Sequence, residues 1–122
     1  MVDHLNPREE KLEMRSLRLR SRHYIVDEDG RIIIGEGRGE ILENIEKTGS
    51  INLTAKIMKM SYKGVWSKIK ATEQTMKTRI VQSNRKQGSS LTKEGKELLR
   101  NYKILKEKCL KADDRIFKSI FK

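Results

Sequence analysis

Residues 49–76 read GSINLTAKIMKMSYKGVWSKIKATEQTM, and their spacing predicts two helices joined by a tight turn. In the second helix Tyr62, Val65, Trp66, Ile69, Thr72, Glu73 and Met76 recur at three- and four-residue steps. All but Glu73 can form one buried stripe. Ser61 precedes the run and can cap the helix by accepting a hydrogen bond from an orphan amide. At about 100° per residue the opposite face carries Lys63, Gly64, Ser67, Lys70, Ala71 and Gln74. These are small or hydrogen-bonding residues with two positive charges. Small residues let a helix backbone sit deep in a groove, and Ser, Lys and Gln can meet base edges or phosphates. Tyr62, in the first turn, can pack inward or present its hydroxyl outward. The upstream helix, about Asn52 to Met58, would turn Ile51, Ala55 and Met58 to the core, with Asn52 as its cap. A helix pair of this kind is how a small protein places one helix in the DNA major groove. An ordinary helical hairpin with a solvated basic face fits the pattern equally well.

Charge favours the first reading. The chain has 122 residues and a formal net charge of +11. Residues 1–30 carry −1, residues 31–60 carry +1 and residues 61–122 carry +11. The excess lies wholly in the half with the proposed recognition helix, as a polyanion partner requires. With 35% hydrophobic and 37% charged residues the core can only be modest. Six aromatic residues make no broad stacking platform for single strands. Cys109 is the only cysteine, which excludes an intrachain disulfide and a cysteine-rich zinc finger. It fits a reducing compartment. No apolar run approaches the roughly 20 residues that span a bilayer, and no signal peptide is visible. The expectation is a cytoplasmic, nucleoid-associated protein without a membrane role.

The organisation follows from composition. Residues 1–16 are a polar leader, expected as disorder or as a short helix from Pro7 to about Ser16. Residues 17–112 are the domain, and residues 113–122 an amphipathic tail. A β-hairpin is predicted over Arg20–Val26 and Arg31–Ile34, turning at Asp27-Glu28-Asp29-Gly30. Those three acids lack the spaced ligands of a calcium loop, and His23 has no second His or Cys beside it. Gly35, Gly37 and Gly39 merely alternate, so they match no phosphate-loop motif and instead let the strand turn into a helix. That helix runs from about Arg38 to Lys47, with Ile41, Leu42 and Ile45 inward and Glu40, Glu43 and Glu46 outward. Gly49 stops it.

Beyond the second helix of the pair, Arg79–Ser83 and Ser89–Thr92 read as two strands around a basic turn, Asn84–Gly88. This is a wing, whose Arg85 and Lys86, with Arg79, can follow a phosphate backbone or minor groove. Thr92 can cap a final helix of about 18 residues with Leu98, Tyr102, Leu105 and Cys109 on one stripe. A helix of that length outreaches so small a domain and suits a twin subunit. No catalytic set appears, and no metal or cofactor is expected: the two histidines are far apart, and neither stands with a nucleophile and an acid.

The residues Gly49-Ser50-Ile51, Ala55-Lys56, Met60-Ser61-Tyr62-Lys63, Trp66, Ile69, Leu91-Thr92 and Gly95 resemble the N-terminal domain of the molybdate-responsive ModE family, which is akin to the LysR-type regulators. Gly35-Glu36-Gly37-Arg38 fits single-domain proteins of this type, and the likeness covers about Arg22 to Leu110. It implies an α+β, mainly α, winged helix-turn-helix with an N-terminal hairpin and a long C-terminal helix. Two departures stand out: Lys59 occupies a turn position where the family favours Gly, and the wing is shorter and poorer in Gly.

The expected function is a sequence-specific regulator of transcription on double-stranded DNA. It would act as a homodimer through the C-terminal helix and N-terminal region and lack an oxyanion-sensing domain. Ser61, Tyr62, Lys63, Ser67, Lys70, Gln74, Arg79, Arg85 and Lys86 would contact DNA. The alternative is a non-specific architectural DNA-binding protein.

Overall fold

The computed structural model describes residues 16–121. The leader's residues 1–15 lie outside them. The chain divides into two compact units, residues 22–105 and a second built from the terminal segments.

In the first unit, β1 (Ile25–Val26) pairs antiparallel with β2 (Ile32–Ile34). The hairpin exists but is far shorter than its sequence predicts. Its acidic turn is structural: Asp27 Oδ1 accepts the N–H groups of Asp29 and Arg31, and Asp27 Oδ2 pairs with Arg31 Nε at 2.8 Å.

Helix α1 (Glu36–Thr48) begins before Arg38, so Gly37 and Gly39 are helical rather than part of the approach. Gly39 backs onto the Tyr102 ring, where a Cβ would stand 3.1 Å from it. Gly49, at φ 70°, ends the helix as expected. Helix α2 (Ile51–Met58) is capped by Ser50, not Asn52. Ser50 has extended backbone and its Oγ accepts the Leu53 N–H at 3.0 Å, while Asn52 already lies inside the first turn.

The turn to α3 (Tyr62–Met76) passes through Lys59 at φ 55°, where the Met60 N–H reaches the Ala55 carbonyl. The left-handed turn is therefore made without glycine, at about 1 kcal/mol. Ser61 caps α3 by accepting the Gly64 N–H at 2.9 Å. Val65, Ile69 and Thr72 are buried as predicted. Trp66 is not, being 45% exposed, and Tyr62 is 52% exposed. At about 100° per residue Trp66 sits roughly 90° from the centre of the buried sector, so three- and four-residue spacing overstates the stripe.

The wing consists of β3 (Val81–Asn84) and β4 (Gly88–Leu91), with Val81 opposite Leu91 and Asn84 opposite Gly88. Helix α4 (Lys93–Ile120) starts at the Thr92 cap, whose Oγ1 accepts the Gly95 N–H at 3.0 Å. Its 28 residues exceed the predicted length of about 18, and it continues without a break through residues 113–120. No Gly or Pro follows Gly95. The second unit also carries i,i+4 pairs Glu107–Lys111 and Asp114–Lys118 and stacked Phe117 and Phe121.

The core of the first unit joins all of its elements but β1, whose Ile25 packs half-buried against it. Ile34, Ile41, Leu42, Ile45, Ile51, Ala55, Val65, Ile69, Ile80, Val81, Leu91, Leu99 and Tyr102 are buried together. The Tyr102 hydroxyl also donates to the His23 carbonyl at 3.0 Å, tying the segment before β1 to α4.

Candidate nucleic-acid interface

Helix α3 and the wing beside it are held at three places, and the first two decide which sides of α3 are free. On its inner side Thr72 Oγ1 donates to the Ile33 carbonyl at 2.8 Å. The Arg38 guanidinium bridges the Ile32 carbonyl and Thr72 Oγ1. On its flank Glu73 is buried, against the expectation that it lies outside the stripe. Glu73 Oε2 accepts the N–H groups of Ile80 and Val81 at 2.8 and 3.2 Å. Those amides open β3, so one carboxylate fixes the wing beside α3. Burial alone would raise the Glu73 carboxyl. The bonds from Ile80, Lys70 and Val81 outweigh it and hold the group below the usual carboxylate range.

The third hold is near the turn end of the wing, on β4. The Ser89 N–H donates to the Gly49 carbonyl at 2.8 Å, and Gly88 takes φ 79°. A Cβ on Gly88 would come within 2.4 Å of that same carbonyl oxygen.

What remains outward on α3 is the side opposite Val65, Ile69 and Thr72. Lys63, Ser67 and Gln74 are exposed there. With Lys70 they share a sector about 60° wide. Lys70 is half-buried. Its Nζ lies 3.0 Å from Glu73 Oε1 and 5.4 Å from the Trp66 ring centroid, so it is tethered rather than free.

Tyr62, Lys70 and Arg79 meet in one open groove of about 290 Å³ between α3 and the wing, together with Trp66 and Ser83. Arg85 and Lys86 lie apart from this groove, in the exposed turn of the wing, where Asn84 Oδ1 accepts the Lys86 N–H at 2.8 Å. The Ser61 hydroxyl is occupied as a cap, which gives it a structural duty. Among the described residues Lys63, Arg79, Arg85 and Lys86 form no ion pair. Such cations are open to an external anion.

Sequence reasoning missed two residues here. The spacing of Trp66 predicts a core position, and its exposed place is legible only from its angle to Val65, Ile69 and Thr72. For Glu73 the signal was present: an acid at stripe spacing marks a buried, hydrogen-bonded carboxylate.

Among the described residues no group of His, Cys, Asp and Glu could hold a metal, and no helix is long and apolar enough to cross a membrane.

A helix pair joined by a tight turn, packed on a further helix and followed by a two-stranded wing, defines the winged helix-turn-helix class. Residues 39–96 match the bacterial regulatory helix-turn-helix proteins of the lysR family. The molybdenum transport protein ModE of Azotobacter vinelandii is 30% identical over 95 residues, in a match that covers 75% of this chain. The match spans 35% of that relative's length. The fold is also that of a solved structure described as a CbnR_DBD-DNA complex, at a TM-score of 0.59 and 17% identity, covering 69% of this chain and 95% of that one. The domain therefore has the winged helix-turn-helix fold and is similar in sequence to ModE and to the lysR-family helix-turn-helix.

Proposed function

We propose that this domain binds double-stranded DNA sequence-specifically, as part of a homodimeric transcription regulator acting at the nucleoid. One observation carries the reading. The side of α3 opposite its buried residues presents Lys63, Ser67 and Gln74, and Arg79, Arg85 and Lys86, without ion partners among the described residues, follow in the next segment. In this reading α3 enters the major groove and the wing turn follows the phosphates. The solved relative in fold is a DNA complex, which supports it. Exposed Ile104, Leu105, Leu110 and Ile116 on α4 support a subunit contact along that helix, together with the N-terminal region.

Phosphate neutralisation supplies most of the affinity, so binding falls steeply as salt rises. The test is competition binding of purified protein to a duplex selected from a genomic pool. Ser67→Ala and Gln74→Ala change the preferred sequence, whereas Lys86→Ala weakens selected and random duplexes alike. The net charge of +11 would equally serve a non-specific architectural protein. Equal losses on selected and random DNA for all three variants would establish that second reading instead.

A further inference from the structure

Tyr62 and Trp66 are two of only six aromatic residues in the chain, and both are about half exposed. They lie one turn apart on α3 and face the same groove as Arg79. Single exposed apolar side chains are ordinary. Two neighbouring aromatics beside Arg79, which has no ion partner among the described residues, form a patch with an apolar centre and a positive edge. That patch suits a partner with the converse surface, apolar points set between anions. The duplex major groove is such a surface: phosphates border it, and the C5-methyl of thymine is its large apolar group.

The arrangement around Trp66 also looks built. Lys70 lies over the ring at 5.4 Å and is itself anchored to Glu73 at 3.0 Å, and Glu73 holds the first amides of the wing. A chain of contacts therefore fixes the indole relative to α3 and the wing together. The same chain neutralises Lys70 and draws it off the outward face.

We infer that Trp66, with Tyr62 beside it, reads thymine methyl groups in the major groove, and that Lys70 is a positioning residue for the indole rather than a base contact. This rests on the DNA-binding reading above and adds the base chemistry to it. The preferred site should then contain thymines at fixed positions opposite the start of α3, and their methyls should carry part of the discrimination.

The test replaces each thymine of a selected duplex with deoxyuridine, which removes one methyl and leaves every hydrogen-bonding group. Affinities of wild type, Trp66→Ala and Lys70→Ala are compared, with circular dichroism and thermal melting to verify folding. Wild type is expected to lose about fourfold per contacted methyl, the equivalent of burying one carbon. Trp66→Ala should bind the two duplexes equally. Lys70→Ala should retain sequence preference but show a weakened methyl effect. If wild type discriminates nowhere between thymine and uracil, or if Trp66→Ala discriminates as wild type does, the inference is overturned while specific DNA binding stands. If no duplex is bound at low salt, the patch faces a protein partner and both readings fall.

Discussion

Glu73 shows how much of this domain turns on single side chains. Its carboxylate joins Lys70, and through it Trp66, to the first two amides of the wing. Glu73→Ala orphans two buried N–H groups and should destabilise the fold by about 2–3 kcal/mol, read by urea unfolding. The pH dependence follows from the lowered carboxyl. A depressed folded-state pKa gives stability that is fully present above the unfolded-state value of 4.5 and lost as pH falls through the folded-state value. Glu73→Gln should therefore be less stable than wild type at neutral pH and should lose less stability on acidification. Parallel unfolding curves from pH 6 to pH 3, as a test range, would contradict this; any ionic strength effect must be held constant. The sequence displays Glu73 within the apolar spacing but cannot display its partners, because these are backbone amides reached only when the chain turns back after Met76. Trp66 departs from expectation for a related reason: its spacing satisfies the stripe, and only the burial of Val65, Ile69 and Thr72 settles where that stripe is centred.

At the scale of elements, local chemistry was the most legible. Ser61 and Thr92 cap the helices that follow them, and Gly49 stops α1, because each acts on groups within three or four residues. Element lengths were less so. The hairpin before α1 is short although the residues around it have strand propensity, and α4 continues past Ala112 because nothing in its sequence breaks it. The α2–α3 turn offers a direct test of the backbone argument. Lys59 occupies a left-handed position that favours glycine. Lys59→Gly should raise stability by about 0.5 kcal/mol, the relief of about 1 kcal/mol being partly offset by the freer unfolded chain. A fall in melting temperature would contradict it. Gly88→Ala tests the anchor at the turn end of the wing, where the new Cβ would meet the Gly49 carbonyl at 2.4 Å. It should cost at least about 2 kcal/mol and loosen the wing, measured as faster amide exchange across Val81–Leu91.

For the whole molecule, charge and fold point the same way. Sequence alone located the positive excess in residues 61–122. The structure then places cations without an ion partner among the described residues, Lys63, Arg79, Arg85 and Lys86 among them, on α3 and the segment that follows it. The acids of α1 are on a different helix, and there Glu43 pairs with Lys47 and Lys103 at 3.6 and 2.9 Å. Long-range attraction of a duplex should therefore be oriented rather than diffuse. The logarithm of the affinity should fall linearly with the logarithm of salt concentration, by about 0.9 per phosphate neutralised. Replacing Lys86 should make that slope shallower by about one. The central claim is that the outward side of α3, with the wing turn, is the surface that docks on DNA. It is tested most directly by following the backbone amide resonances of the protein while a selected duplex is added. The account predicts that the largest shifts fall at Tyr62, Lys63, Trp66, Ser67, Gln74 and residues 84–87, and spare Glu40, Glu43 and Glu46. Shifts concentrated on the acidic side of α1, with α3 unchanged, would contradict it.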